Sequence, residues 1–111
     1  MSRTAIALLA LWAASAGALS SDAKEFMRLA KELEPVNCEK RKLRREIALG
    51  EVQGQDVKAL KQRFAALDRD PATAKLQQRL AQLVTRVQSS ADPQDLAAIS
   101  AQHREAYYRC D

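Results

Sequence analysis

The stretch CEKRKLRREI, residues 38–47, carries the features from which the fold and function of this chain are best inferred. It contains Cys38, one of only two cysteines in the 111 residues. Its middle six positions hold five basic side chains. Leu43 and Ile47 begin an apolar series at helical spacing, against which the other helices are expected to pack. The stretch therefore predicts an amphipathic helix with a densely basic outer face.

Residues 1–18 are typical of a cleaved secretory signal peptide. Arg3 supplies a positive charge, an apolar run follows, and Ala-Gly-Ala at 16–18 provides the small residues that signal peptidase needs. The 16 residues of 4–19 are fewer than the roughly 18–20 that span a bilayer, so a membrane anchor is the weaker alternative. Cleavage at this site, or two residues earlier, predicts a single exported domain over 19–111 with no transmembrane segment. Its expected location is the periplasm or the extracellular space.

Cys38 and Cys110 are predicted to form a disulfide, because paired cysteines in an exported chain are usually oxidised. A bridge between two chains, or two free thiols, is the alternative. Together with the single His103 the cysteines offer three ligands at a spacing that matches no metal site, so neither a metal nor a cofactor is expected. Asp68 and Asp70 form an acidic pair, of which one is better explained as a helix cap.

Every segment after the signal shows helical apolar spacing, and glycine and proline are sparse, which predicts an all-α fold. Asp22 is predicted to cap a first helix that ends or kinks at Pro35, since proline disfavours helical geometry at the preceding residue. The Asp-Pro pairs at 70–71 and 92–93 are predicted to start two later helices. The sequence leaves open whether the first helix packs on the others. The predicted helices span 22–34, 36–53, 57–69, 71–89 and 93–109.

The segment around Gly50 and Gly54 admits two interpretations. Gly54 can close one helix while Asp56 caps the next, or both glycines can lie inside one helix over 36–69, at about 1 kcal/mol each relative to alanine. A continuous helix would be about 50 Å long and would carry Cys110 far from the other cysteine. The expected disulfide therefore favours the turn. With the turn, the sequence predicts a small antiparallel up-down helical bundle of four helices plus an N-terminal helix.

The basic cluster is the strongest functional candidate, and it is defined as Lys40, Arg41, Lys42, Arg44 and Arg45. Its local charge density, more than the net charge of +4, indicates an anionic partner such as an envelope component or an acidic protein. Arg41 and Arg45 lie one turn apart and are expected on the outer face. The competing interpretation is an ordinary solvated helix face. Aromatic residues do not interleave with the basic ones as in nucleic-acid platforms, so no specific nucleic acid is expected.

No arrangement of residues in the sequence is typical of an active site. There is no glycine-rich phosphate loop, and His103 falls on the predicted apolar face of the last helix with Leu96 and Ile99. We interpret His103 as a boundary or core residue. The sequence predicts a non-enzymatic binding or interaction protein. The alternative is a structural or chaperone-like protein that uses a partly open apolar seam.

Overall fold

The computed structural model describes residues 18–110, so the predicted signal peptide lies outside the described residues except for Ala18. Within this range the chain forms helices and no strand, which confirms the all-α prediction. We number the four helices in chain order as α1 Ser21–Val52, α2 Lys58–Arg69, α3 Pro71–Ser90 and α4 Pro93–Arg109.

Helix α1 is continuous over 32 residues, a length of about 48 Å. The alternative in which a first helix ends at Pro35 is therefore wrong, and α1 includes the segment predicted as a separate N-terminal helix. Pro35 is exposed, as is Lys31, whose carbonyl would ordinarily accept a bond from residue 35. The Lys31 carbonyl, which receives no N–H bond from Pro35, therefore lies on the exposed side of the helix. Burial of Leu33 and Leu43 on either side of the proline holds the two halves in one helix.

The helix starts follow local capping chemistry. Ser20, and not the predicted Asp22, caps α1, and its Oγ accepts a bond from the backbone N–H three residues on at 3.1 Å. Asp70 and Asp92 cap α3 and α4 as predicted, accepting backbone N–H bonds at 3.0 and 2.8 Å. A proline follows each of these two aspartates and occupies the first turn of the helix. A backbone N–H there has no acceptor within the helix, so the N–H that proline lacks costs no hydrogen bond.

The predicted turn between α1 and α2 is confirmed. Gly54 has a φ of +70°, a conformation that favours glycine. The N–H groups of Gly54 and Gln55 donate to the carbonyls of Glu51 at 3.1 Å and Gly50 at 2.8 Å, the bonding pattern of a Schellman motif. Asp56 Oδ1 then accepts from the first N–H of α2 at 3.0 Å. The alternative of one helix over 36–69 is excluded.

Helices α2 and α3 both run antiparallel to α1. Only Asp70 separates them, and helical hairpins need loops of about 2–5 residues, so the chain does not reverse there. The two helices instead follow one another along α1, and the expected up, down, up, down order is wrong. Later residues of α2 and α3 meet earlier residues of α1 in the ion pairs Lys61–Glu51, Asp68–Lys40, Arg79–Glu25 and Arg86–Asp22.

Helix α4 runs parallel to α1. Three hydrogen-bonded pairs join residues that are each 75 positions apart, and successive pairs are two helical turns along both helices. One end of the molecule is therefore a packing of α1, α3 and α4, and the other end is the hairpin of α1 with α2. The three pairs are Ser20–Asp95, Met27–Gln102 and Glu34–Arg109.

The core is a narrow apolar seam in which Leu43 and Leu83 are almost completely buried. The α4 face toward α1 is centred on Asp95, which is 1% exposed, while Leu96 is 38% exposed. His103 is consequently exposed, and the interpretation of His103 as a boundary or core residue is wrong. The helix is rotated by about one position from the predicted apolar face, because Asp95 finds hydrogen-bond donors at the start of α1. The buried apolar residues are Ala23, Leu29, Leu33, Leu43, Val57, Leu83 and Val87.

Candidate functional site

The predicted disulfide between Cys38 and Cys110 is present, with the two Cα atoms 5.2 Å apart. This separation lies inside the range of about 4.4–6.8 Å that a disulfide requires. Cys38 is near the middle of α1 and Cys110 follows the last residue of α4. The parallel packing of α4 on α1 brings them together.

The side chain of Lys40, the first member of the basic cluster, is mostly buried in contacts within the fold. Its side chain is 12% exposed, it forms an ion pair with Asp68, and its Nζ lies 5.6 Å from the centre of the Phe64 ring. Hydrogen bonds from Lys40 and, to a smaller extent, from Gln77 hold the pKa of Asp68 below its usual value. Asp68 therefore stabilises the α1–α2 contact.

Arg41 stabilises the end of α4. Its guanidinium carbon lies 3.2 Å from the centre of the Tyr107 ring, and its Nη1 donates to the Tyr107 carbonyl at 2.7 Å. That carbonyl belongs to the last turn of α4, where backbone acceptors lack partners within the helix. Arg41 is half-buried, so the expectation that it lies on the outer face with Arg45 is wrong.

The other three members of the basic cluster are exposed. Arg44 lies 5.3 Å from the centre of the Phe64 ring, which leaves its guanidinium able to form charged hydrogen bonds. Lys42 and Arg45 lie outside the groove that Arg44 borders. Three members of the basic cluster thus line the groove, two of them already engaged in structural contacts, and the other two lie outside it.

A groove of about 980 Å³ lies between α1 and α4. Half-buried apolar side chains from three helices form its floor, and they are Phe26, Ala30, Leu80, Ile99 and Ala106. Its cationic residues are Lys40, Arg41, Arg44 and Arg104. Glu34 is the single acid among the described residues that line it, and Arg109 binds Glu34 at 2.6 Å. The groove therefore combines an apolar floor with a positive rim.

Arg104 was not identified from the sequence. It is exposed on α4 at the edge of the groove, and among the described residues no ion pair involves it. The sequence contains no local sign of its role, because Arg104 stands alone between His103 and Glu105. Only the docking of α4 along α1 brings it to the same groove as Arg44, which is 60 positions away in the chain.

Asp95 was also missed. Its Oδ2 accepts a hydrogen bond from Ser20 Oγ at 2.6 Å and its Oδ1 accepts one from the Ser20 N–H at 3.0 Å. Both bonds lower the pKa of Asp95, and the bond from the Ser20 hydroxyl has the larger effect. Burial of the carboxylate raises the pKa, but by less. The carboxylate thus locks the start of α1 to the first turn of α4 and has a structural role.

A second hollow, of about 690 Å³, lies at the turn between α1 and α2. Both acidic and basic side chains line it, including Glu51, Asp56, Lys58 and Lys61, so it lacks the clear excess of cations found in the α1–α4 groove. In the described part of the chain no three His, Cys, Asp or Glu side chains are placed to hold a metal ion together.

None of the helices in residues 18–110 has both the length and the apolar character needed to cross a bilayer. No protein-family model, no curated protein and no solved structure matches the chain.

Proposed function

We propose that this chain is an exported, non-enzymatic binding protein that takes an anionic partner at the positive rim of the α1–α4 groove. The observation that carries the proposal is the imbalance of charge in the groove lining, where four cations, one of them paired with Asp68, accompany one acid that is itself paired with Arg109. Arg44 and Arg104 are the exposed pair among these cations. The partner is an anionic envelope component or an acidic protein.

Export is supported by the disulfide, which is typical of oxidising compartments. Cleavage after Ala18 would also leave the folded region whole, because the first capping residue of α1 is Ser20. The proposed mature chain, 19–111, therefore keeps every helix and the groove.

The test compares two double charge reversals in the oxidised protein spanning 19–111. Arg44→Glu with Arg104→Glu reverses the groove rim, and Lys42→Glu with Lys75→Glu reverses two exposed lysines outside the groove. Both variants change the net charge equally. Binding to heparin and to vesicles containing an anionic lipid is measured as salt is raised. Exposed charges are screened over about 8 Å at physiological ionic strength, so binding of the parent should weaken with salt.

We expect the groove reversal to weaken binding by about tenfold or more at low salt, because like charges then face each other at the contact. The control reversal should have a much smaller effect. Equal losses in the two variants would mean that binding follows net charge alone, and the groove would then be an ordinary solvated surface.

The alternative is a chaperone-like role through exposed apolar surface, and one observation favours it. Leu49 and Val52, at the end of α1, are 59% and 86% exposed. If this surface binds clients, Leu49→Ser with Val52→Ser should abolish the binding of a hydrophobic dye by the folded protein. The same change should leave the salt-sensitive binding of anions intact.

A further inference from the structure

We propose that the occupant of the α1–α4 groove is an acidic amphipathic helix of a partner protein, with its apolar side on the groove floor and its carboxylates against Arg104 and Arg44. This inference rests on the proposed function, since it assigns one kind of macromolecule to the same positive rim. It adds two requirements that an anion alone does not have, namely a helical backbone and an apolar face.

The fold leaves the positive charge of the groove arginines uncompensated. Lys40 is paired with Asp68, and the acid of the lining is paired as well. In the described part of the chain Arg41, Arg44 and Arg104 form no ion pair with an acid, and the Arg41 guanidinium donates to a neutral carbonyl. Each guanidinium presents a fork of N–H donors that matches the two oxygens of a carboxylate. The chemistry complementary to this rim is therefore that of aspartate and glutamate side chains.

These arginines lie at two levels along the groove. Helix α4 follows the first half of α1 at an offset of 75 positions, which places Arg104 level with Leu29. Arg41 and Arg44 are about 12–15 residues further along α1, or roughly 18–22 Å. One small head group cannot occupy both levels. Carboxylates three or four turns apart on one face of a helix are separated by about 16–22 Å, so a single helix can meet both.

The floor of the groove offers an apolar surface around the level of Arg104. Phe26 and Ala30 lie one turn apart on α1, and Ile99 and Ala106 line the groove from α4. All four are half-buried, so each keeps apolar surface that a partner can cover. A polyanion would pair with the arginines and leave this surface in water. An amphipathic helix that lies in the groove covers the surface with its apolar face.

The walls of the groove favour a helix over an extended segment. Both α1 and α4 use their backbone groups internally, and the described residues form no strand whose edge could pair with another chain. An extended segment on the apolar floor would therefore leave its own N–H and C=O groups without partners, whereas a helix satisfies them itself. The groove runs from Phe26 to Arg44, about 27 Å, which is the length of a helix of about 18 residues.

Fluorescence anisotropy of labelled peptides with the oxidised 19–111 protein tests the assignment. The probe is a peptide of about 18 residues with leucines along one helical face, glutamates beside them and alanines elsewhere. Its controls are a version with glutamine for glutamate, a scrambled version of the same composition and charge, and a version with one central proline. We expect one probe bound per chain, with a gain of helical circular dichroism on binding. Each control should bind more weakly by about tenfold or more.

Protein variants locate the peptide in the groove. Arg44→Glu with Arg104→Glu should weaken the probe by about tenfold or more and should instead bind a version with lysine for glutamate, which the parent rejects. This exchange of partners requires direct contact, because a merely structural role of the arginines would not produce it. Ala30→Leu and Ala106→Leu should each weaken the probe by filling the floor. Ala48→Leu, at an exposed position of α1 outside the groove, is the matched control and should change nothing. Circular dichroism melts establish that each variant is folded.

Absence of probe binding, or equal binding of the probe and its scrambled or proline version, would overturn the helix assignment. Probe binding that both floor variants leave intact, or a groove reversal that does not gain affinity for the lysine peptide, would overturn it as well. If heparin and anionic vesicles still bind through the rim in any of these cases, the proposed function stands without the helix. If no anion of any kind binds at low salt, the proposed function and this inference fail together.

Discussion

Replacement of Cys38 and Cys110 together by serine should lower the melting temperature by about 16–32 °C. The bond closes a loop with a sequence separation of 72 residues. In the chain-entropy model a loop of this length stabilises the folded state by about 4 kcal/mol. For a domain of this size each kcal/mol shifts the melting temperature by about 4–8 °C. The covalent link should therefore be a large part of the total stability, which is about 5–15 kcal/mol for a small protein.

The loss should be one of stability and not of helix content at low temperature. The end of α4 keeps two non-covalent contacts with α1 in the variant, namely Arg109 with Glu34 at 2.6 Å and Arg41 with the Tyr107 carbonyl at 2.7 Å. The double serine variant should thus give a parental circular dichroism spectrum at 5 °C and melt early. The parent protein with its disulfide reduced is the control and should melt with the variant.

A decrease of less than about 5 °C, equivalent to roughly 1 kcal/mol, would refute this reasoning, because the loop would then be held closed by packing alone. A disulfide-linked dimer in non-reducing mass analysis would refute it differently. The two cysteines would then join two chains, and no long loop would be closed within one chain.

Three further changes test the contacts that hold α1 to its neighbours. The Ser20 bonds give Asp95 a lower pKa in the folded than in the unfolded chain, so its stabilisation is complete above the unfolded pKa of about 4 and is lost as pH falls below that value. Asp95→Asn should therefore reduce the dependence of melting temperature on pH below about 4. Gly50→Ala should reduce the free energy of unfolding in urea by about 1 kcal/mol, since the new Cβ would lie 2.6 Å from Val57 Cγ1 and helix propensity offsets only part of that strain. Arg41→Ala should lower the melting temperature by about 4–16 °C, because the ring contact and the charged hydrogen bond together contribute about 1–2 kcal/mol.

Each of these predictions has its own control. If Asp95→Asn retains the full acid sensitivity of the parent, other carboxylates are responsible for it. Gly50→Ala should cost much less stability in a Val57→Ala background than in the parent, and an equal cost in both backgrounds would mean that the Cβ contact is not the cause. Lys42→Ala, beside Arg41 but exposed, should melt with the parent. Similar losses for Arg41→Ala and Lys42→Ala would show that the contact with α4 contributes nothing.

The sequence predicted those parts of the fold that depend on local chemistry. Asp70 and Asp92 cap helices in which the next residue is proline, and Gly54 adopts a positive φ at the end of α1. Each of these signals acts within a few residues, so no knowledge of the tertiary structure was needed. The disulfide was predicted from composition and expected compartment, and its partners followed because the chain has two cysteines.

The direction of the helices could not be predicted in the same way. The Asp-Pro pair at 70–71 correctly predicts a helix boundary, but a boundary does not specify a reversal. Only one residue lies between α2 and α3, and the ion pair of Arg79 with Glu25 shows that α3 continues along α1. The distinction depends on contacts 54 positions apart, which no local pattern contains.

The candidate site was predicted only in part, for the same reason. The density of charge at 40–45 is evident from the sequence, but the fate of each side chain depends on distant partners. Lys40 is bound by Asp68 and Arg41 by Tyr107, while Arg44 borders the groove. Arg104 completes the rim from another helix. The local charge cluster therefore predicts a basic surface, whereas the division of its members between structural contacts and the groove depends on the tertiary structure.

Pro35 connects the local and tertiary levels of this fold. Up to Glu34, α1 meets α4 at a constant offset of 75 positions. Beyond the proline the offset decreases, to 72 for Cys38 with Cys110 and to 66 for Arg41 with Tyr107. Arg109 is the last residue of α4, so these two later contacts are made to the end of α4, by the disulfide and by the long Arg41 side chain reaching back to it. The proline that local reasoning placed between two helices thus lies where α1 stops following α4, and beyond that point the cations of α1 border the groove.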